Sequence, residues 1–138
     1  MTPTDKYKDL ALYAKAARKK AYAPYSNISV GCAIITASGK IIEGANIENA
    51  AYSPTLCAER VALARAVMEG EVPVCVAISG GRIGEGAKDV FPPCGVCRQA
   101  LTEFCRSDLP IVLATDEENY LTTLGELLPY GFSKENLK

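Results

Sequence analysis

Two short segments constrain this chain more than any other feature: Cys57-Ala58-Glu59 and Pro93-Cys94-Gly95-Val96-Cys97. If their three cysteines hold one metal, the fold must carry both segments to a single point. Three thiolates fill three of the four tetrahedral positions of Zn²⁺ and leave one open for water. A carboxylate two residues after the first cysteine, Glu59, can then move the protons of that water. A purely structural zinc site needs neither the open position nor the acid.

The chain has no histidine, so the commonest zinc ligand and the commonest general base are both missing. Metal binding then rests on Cys57, Cys94 and Cys97, and proton transfer on a carboxylate, Lys, Tyr or Cys. Both segments lie where helices are predicted to start. The positive end of a helix eases thiol ionisation. Two helices side by side on one sheet face would bring those ends together. Three thiolates on Zn²⁺ leave a net charge of −1, which makes bound water a poorer acid. Arg60 and Arg98 each follow a motif directly and are placed to hydrogen-bond the sulfurs. Arg60 is the preferred compensating cation. Cys32 and Cys75 read as buried small hydrophobes in strands. Cys105 falls late in a helix and is given no metal role.

With 138 residues, 49% hydrophobic and 22% charged, the expectation is one globular domain over residues 1–138. The net charge is −1, and the one basic cluster (Lys15, Arg18, Lys19, Lys20) reads as a solvated helix face, so no nucleic-acid partner is expected. Met1 to Leu10 is polar, and no apolar stretch approaches the roughly 20 residues of a membrane span. A cytoplasmic protein with no membrane partner is expected. In that compartment a Cys-x-x-Cys pair points to metal or redox chemistry rather than to a disulfide framework.

Periodicity predicts a helix over 4–20, then strands over 28–36 and 41–45 joined as a hairpin by Ser38-Gly39-Lys40. Residues 46–52 are irregular, and Ser53-Pro54-Thr55 reads as a helix start. The helix over 56–69 is apolar nearly all round, as in a core or an oligomer interface. A strand over 72–79, a Gly-rich loop over 80–92, a helix over 95–106, strands over 109–115 and 120–122, and a helical turn over 124–128 follow. This order predicts an α/β fold: a three-layer α/β/α sandwich with a mixed five-stranded sheet.

Assembled, these residues resemble the small homotetrameric cytidine deaminases. The zinc motifs alone match the wider nucleobase deaminase pattern of His or Cys, one residue, Glu, then Pro-Cys-x-x-Cys. Asn46-Ile47-Glu48-Asn49-Ala50-Ala51-Tyr52 narrows the resemblance to nucleoside enzymes. Ala23-Pro24-Tyr25-Ser26, Pro93 to Gln99 and Glu126-Leu127-Leu128-Pro129 extend it over nearly the whole chain. The resemblance implies a cytidine deaminase-like fold with Zn²⁺ as cofactor and a small nucleoside as substrate. It implies hydrolysis of cytidine and deoxycytidine to uridine and deoxyuridine with loss of ammonia, in pyrimidine salvage. Glu59 would shuttle protons, and Asn46 and Glu48 would hold the ribose hydroxyls. The Ala58 N–H and the Pro93 carbonyl would touch the pyrimidine and its leaving amine. Tyr25 and Tyr52 would meet other subunits of a homotetramer whose active sites lie near the interfaces, and Phe132 would enter a neighbour's pocket.

Two departures stand out. Ile28 occupies the position where the resemblance expects a Phe over the base, and it lacks the aromatic quadrupole. Residues 80–92 form a longer, more Gly-rich connection than expected. Two rivals follow: a deaminase of another aminated pyrimidine nucleoside, of the blasticidin S type, and a non-catalytic zinc-stabilised interaction domain.

Overall fold

The computed structural model describes residues 1–138. Its centre is a six-stranded mixed sheet in the order β1-β6-β5-β4-β2-β3. The strands are β1 (Thr2–Pro3), β2 (Ile28–Thr36), β3 (Ile41–Ala45), β4 (Pro73–Arg82), β5 (Pro110–Ala114) and β6 (Asn119–Thr123). The helices are α1 (Lys8–Ala17), α2 (Ala58–Met68), α3 (Gly95–Phe104) and α4 (Leu124–Leu127). Only β4 and β5 run parallel, with α3 as their crossover; every other neighbouring pair is antiparallel.

Alternation along the central strands sorts the layers. Val30, Cys32 and Ile34 of β2, Val76 and Ile78 of β4, and Ile111 and Leu113 of β5 face one side. There they pack with Ala58, Ala62 and Leu63 of α2, Leu101 of α3 and Leu124 of α4. Ala33, Cys75, Ala77, Val112 and Ala114 face the other side, where Leu10, Ala11 and Ala14 of α1 cover them. Because both faces are covered, these strands read as continuous apolar runs. The three-layer α/β/α arrangement expected from the sequence is therefore present.

One close approach fixes α2. A Cβ on Gly44 of β3 would stand 2.5 Å from the Ala58 carbonyl oxygen and 2.5 Å from the Ala62 nitrogen. The first turn of α2 thus rests on strand backbone, and Cys57, Ala58 and Glu59 rest with it.

The sheet has six strands, not five. Thr2–Pro3 adds to the edge of β6, opposite Leu121 and Tyr120. Two residues carry no periodic signal, so the pairing comes from the edge that β6 offers. Helix α1 begins later than expected, after Tyr7 in the left-handed region (φ 65°). Helix α2 begins at Ala58 because Cys57 itself is its N-cap, and the Thr55 hydroxyl oxygen instead accepts from the Asn49 N–H. Strand β4 runs on through Gly80 and Arg82, paired with Val30 and Ile28. The expected 80–92 loop is correspondingly shorter. The loop is tied down by buried Ala87, whose carbonyl accepts from the Asp116 N–H at 2.9 Å.

Candidate active site

Cys57 and Cys94 are the N-cap residues of α2 and α3, and Cys97 lies in the first turn of α3, fully buried. The three sulfurs lie within 4.8 Å of one another. Cys57 Sγ is 3.9 Å from Cys94 Sγ, and Cys94 Sγ is 3.6 Å from Cys97 Sγ. Zinc–sulfur bonds of about 2.3 Å at tetrahedral angles separate ligand sulfurs by about 3.8 Å. The two shorter separations match thiolates around one Zn²⁺, the third lies within 4.8 Å, and three thiolates leave one tetrahedral position for another ligand.

The electrostatics suit thiolate formation. Cys57 is held well below the ordinary thiol value, first by the hydrogen bond from Cys97 and then by Arg60. Cys97 is pushed up as the donor of that pair and by its burial. Arg60 Nη2 donates to Cys57 Sγ at 3.7 Å and to the Thr55 carbonyl at 3.1 Å, as a compensating cation should. Arg98 differs from expectation. Its Nε donates to the Pro93 carbonyl at 2.7 Å and its Nη1 to the Leu127 carbonyl at 2.6 Å. Its reach is taken by backbone oxygens, so it holds the Pro93 turn rather than a sulfur. The Pro93 carbonyl keeps a second lone pair for another donor.

Glu59 is 4% exposed. Burial pushes its carboxyl up and the neighbouring Cys57 charge adds to this, while the nearby Cys97 thiol and Arg60 oppose it. A carboxylate in the first turn of a helix would ordinarily face water; this one faces the thiols.

A cavity of about 270 Å³ opens beside these groups, lined among others by Ile28, Val30, Asn46, Cys57, Glu59 and Phe91. Ala58, fully buried, and Cys94 also line it. Asn46 is buried at its edge, pinned between the strands. Its Oδ1 accepts from the Val30 N–H at 2.8 Å, and its Nδ2 donates to the Ile28 carbonyl at 2.9 Å. One amide hydrogen and one lone pair remain for a ligand. Glu48 lies just outside, next to Ser26, which lines the cavity. Its Oε1 accepts from the Tyr25 and Ser26 N–H groups at 2.9 and 3.1 Å, and its Oε2 from the Ser26 hydroxyl at 2.5 Å. These donors hold its carboxyl below the usual range, the Ser26 hydroxyl most of all.

Phe132 is 57% exposed and lies outside the cavity of its own chain, where its carbonyl accepts from Gln99 Nε2. Tyr25 and Tyr52 stack edge to face with centroids 6.3 Å apart, both exposed. Sequence reasoning missed Ser26, Val30, Thr55, Leu56, Phe91 and Pro92 as lining residues. Phe91 sits in what read as featureless loop, and its only advance signal was its position two residues before Pro93. A larger cavity of about 410 Å³, between the end of α3 and residues 131–135, shares no residue with this one and gathers no metal-ligand cluster.

With this geometry established, comparison with known proteins is specific. Residues 4–113 match the family model for the cytidine and deoxycytidylate deaminase zinc-binding region. A cytidine deaminase of Sporosarcina psychrophila is 43% identical over 131 residues, covering 90% of this chain and 89% of that protein. The crystal structure of cytidine deaminase from Burkholderia pseudomallei superposes with a TM-score of 0.82 at 41% identity, covering 92% of this chain and 99% of that one. A blasticidin-S deaminase of Bacillus cereus is more distant, at 30% identity over 109 residues, 76% of this chain and 77% of that protein.

Proposed function

The chain belongs to the cytidine and deoxycytidylate deaminase family, and from that premise we propose that it hydrolyses cytidine and deoxycytidine to uridine and deoxyuridine with release of ammonia. One observation carries the reading: a buried carboxylate, Glu59, meets three convergent thiols at the end of a small-molecule cavity.

Cys57, Cys94 and Cys97 hold Zn²⁺. Bound there, the ion supplies a Lewis acid that makes water nucleophilic near neutral pH. Glu59 accepts a proton from the attacking water and delivers it to N3 of the pyrimidine. It then passes the second proton to the amine at C4, where the new C–O bond has formed and the C–N bond breaks. Water is consumed and ammonia leaves, so the atoms balance. Asn46 offers its remaining amide hydrogen and lone pair to a sugar hydroxyl, and Glu48 offers carboxylate lone pairs beside it. The Ala58 N–H and the free lone pair of the Pro93 carbonyl orient the ring and its amine. Arg60 offsets thiolate charge, and Arg98 keeps the Pro93 carbonyl in place. Ile28 packs against the substrate, and its departure from an aromatic favours testing a second substrate class.

The whole chain acts as one domain and assembles as a homotetramer with its sites near the interfaces. Exposed Tyr25, Tyr52 and Val96 around the site support this assembly, as does Phe132, which is left without a pocket in its own chain. Sedimentation at micromolar protein checks it, and a monomer refutes it. All six cysteines are free, as a reducing cytoplasm keeps them; this supports a place in intracellular pyrimidine salvage.

The deciding experiment is ammonia release from cytidine, deoxycytidine and blasticidin S, with zinc content measured on the same sample. Turnover of the first two is expected. Turnover of blasticidin S alone transfers the reading to that class, and no turnover by zinc-loaded protein refutes it.

A further inference from the structure

We propose that Phe91 supplies the aromatic ring over the substrate base, in place of a ring at position 28, and that the missing side chain of Gly80 seats it. The proposal rests on the reading that a cytosine nucleoside occupies the cavity.

Phe91 is the only aromatic side chain lining that cavity. Ile28 and Val30, two apart on β2, face the same side of the sheet. Val30 pairs with Gly80 on β4, so Gly80 faces that side too. A Cβ on Gly80 would stand 2.8 Å from both Cδ1 and Cδ2 of Phe91, with Cγ closer still. Equal distances to the two δ carbons, with Cγ nearest, mean that the ring lies face-on against the strand. Any other residue at position 80 would fill the space the ring occupies. One face of the ring is thus spent on the sheet, and the other is turned away from it, on the side where α2 carries Glu59.

Phe91 and Ile28 also border a second cavity of about 320 Å³, which includes Gly80 to Arg82 and the 85–89 loop. They are the only two residues that line both cavities. Together they form the partition that ends the substrate cavity. Their tethers assign them different parts of a ligand. Phe91 is three residues from Cys94 and is held at the reacting end. Ile28 is two residues from Ser26, which binds Glu48, and is held at the sugar end. A base with its amine at the thiols therefore meets the Phe91 ring, while Ile28 meets the junction of base and sugar.

Stacking acts on substrate and transition state alike, so its loss raises KM and leaves kcat in place. Phe91→Leu is expected to raise KM for cytidine roughly ten- to hundredfold, with kcat within about threefold of wild type and zinc content unchanged. Ile28→Phe added to Phe91→Leu is expected to recover most of that loss, because it restores a ring from the β2 side. Gly80→Ala leaves Phe91 in the chain but displaces its ring, and should raise KM in the same sense. The proposal is overturned if zinc-loaded Phe91→Leu keeps its KM, if its loss falls on kcat, or if the double variant is no better than the single. Where Phe91→Leu does not fold, an unchanged KM in Gly80→Ala overturns it. Failure of the substrate reading is seen separately, as absence of ammonia release by the wild-type enzyme from every cytosine nucleoside, and that result overturns the proposal as well.

Discussion

Gly44→Ala tests how the fold delivers the site. The added Cβ would lie 2.5 Å from both the Ala58 carbonyl oxygen and the Ala62 nitrogen, where ordinary contact begins at 3.4 Å. Both opposing atoms are helix backbone and cannot rotate aside. To restore contact, α2 must retreat by about 0.9 Å, close to the displacement of 1 Å that can cost a hundredfold in rate. Cys57 and Glu59 flank Ala58 and move with it. In a strand, replacing Gly by Ala alone would stabilise by about 0.4–1 kcal/mol through the unfolded chain. Overpacking against rigid backbone costs about 1–3 kcal/mol, so the net effect is destabilising. The expected result is kcat/KM down about a hundredfold, together with a lower urea midpoint. Gly39→Ala is the control. Gly39 sits in the β2–β3 turn at φ 87° with nothing within 4 Å of an added Cβ, so it costs about 1–2 kcal/mol of strain and leaves ammonia release unchanged. Wild-type kcat/KM in Gly44→Ala would refute the claim that α2 stands on strand backbone.

Three further outcomes are expected. Glu59→Gln keeps zinc and fold but loses turnover by at least about 10²–10⁴, the usual worth of a positioned acid–base group; near-normal ammonia release would remove Glu59 from the chemistry. Arg60→Ala, which removes the guanidinium donor to Cys57, weakens zinc about 10- to 100-fold, as read by competition with a chromophoric chelator. The Glu48 carboxyl is depressed chiefly by the Ser26 hydroxyl. Its contribution is therefore complete above the unfolded carboxylate value of about 4.3 and is lost as pH falls through the lower folded value. Ser26→Ala removes the main cause of that depression, so the acid limb of KM for cytidine should move to higher pH, and stability should fall at neutral pH with the difference from wild type vanishing in acid; identical KM limbs and a pH-independent stability difference would show that Ser26 does not hold Glu48.

What the sequence could reveal was set by the range of each interaction. Cys57, Glu59, Cys94 and Cys97 were legible because metal chemistry demands fixed residue types at fixed spacing. The layers were legible because β2, β4 and β5 are long and apolar. Strand β1 was not, since a two-residue pairing depends on the neighbouring edge. The end of β4 was hidden because Gly80 and Gly81 read as loop, whereas their lack of side chains admits the Phe91 ring, the Gly86 carbonyl and the Arg18 guanidinium. Phe91 was hidden for the same reason: its partner is a glycine eleven positions away, and a missing side chain leaves no pattern to read. Arg60 and Arg98 both read in sequence as donors to the ligand sulfurs, with Arg60 preferred. Their different partners are set by which backbone carbonyls lie nearby, and only the fold decides that.

An all-cysteine ligand set has a redox consequence. A histidine that loses its metal remains a histidine, but sulfurs 3.6 and 3.9 Å apart can be oxidised against one another. Metal-free protein is therefore vulnerable where metal-loaded protein is not, because a sulfur committed to zinc is a poorer target for oxidants than a free, partly ionised thiol. Cys94 is exposed and Cys57 partly so, which gives an oxidant access to both. The ion thus keeps its own ligands reduced, and an interval without metal can end in a cross-link that zinc alone does not reverse.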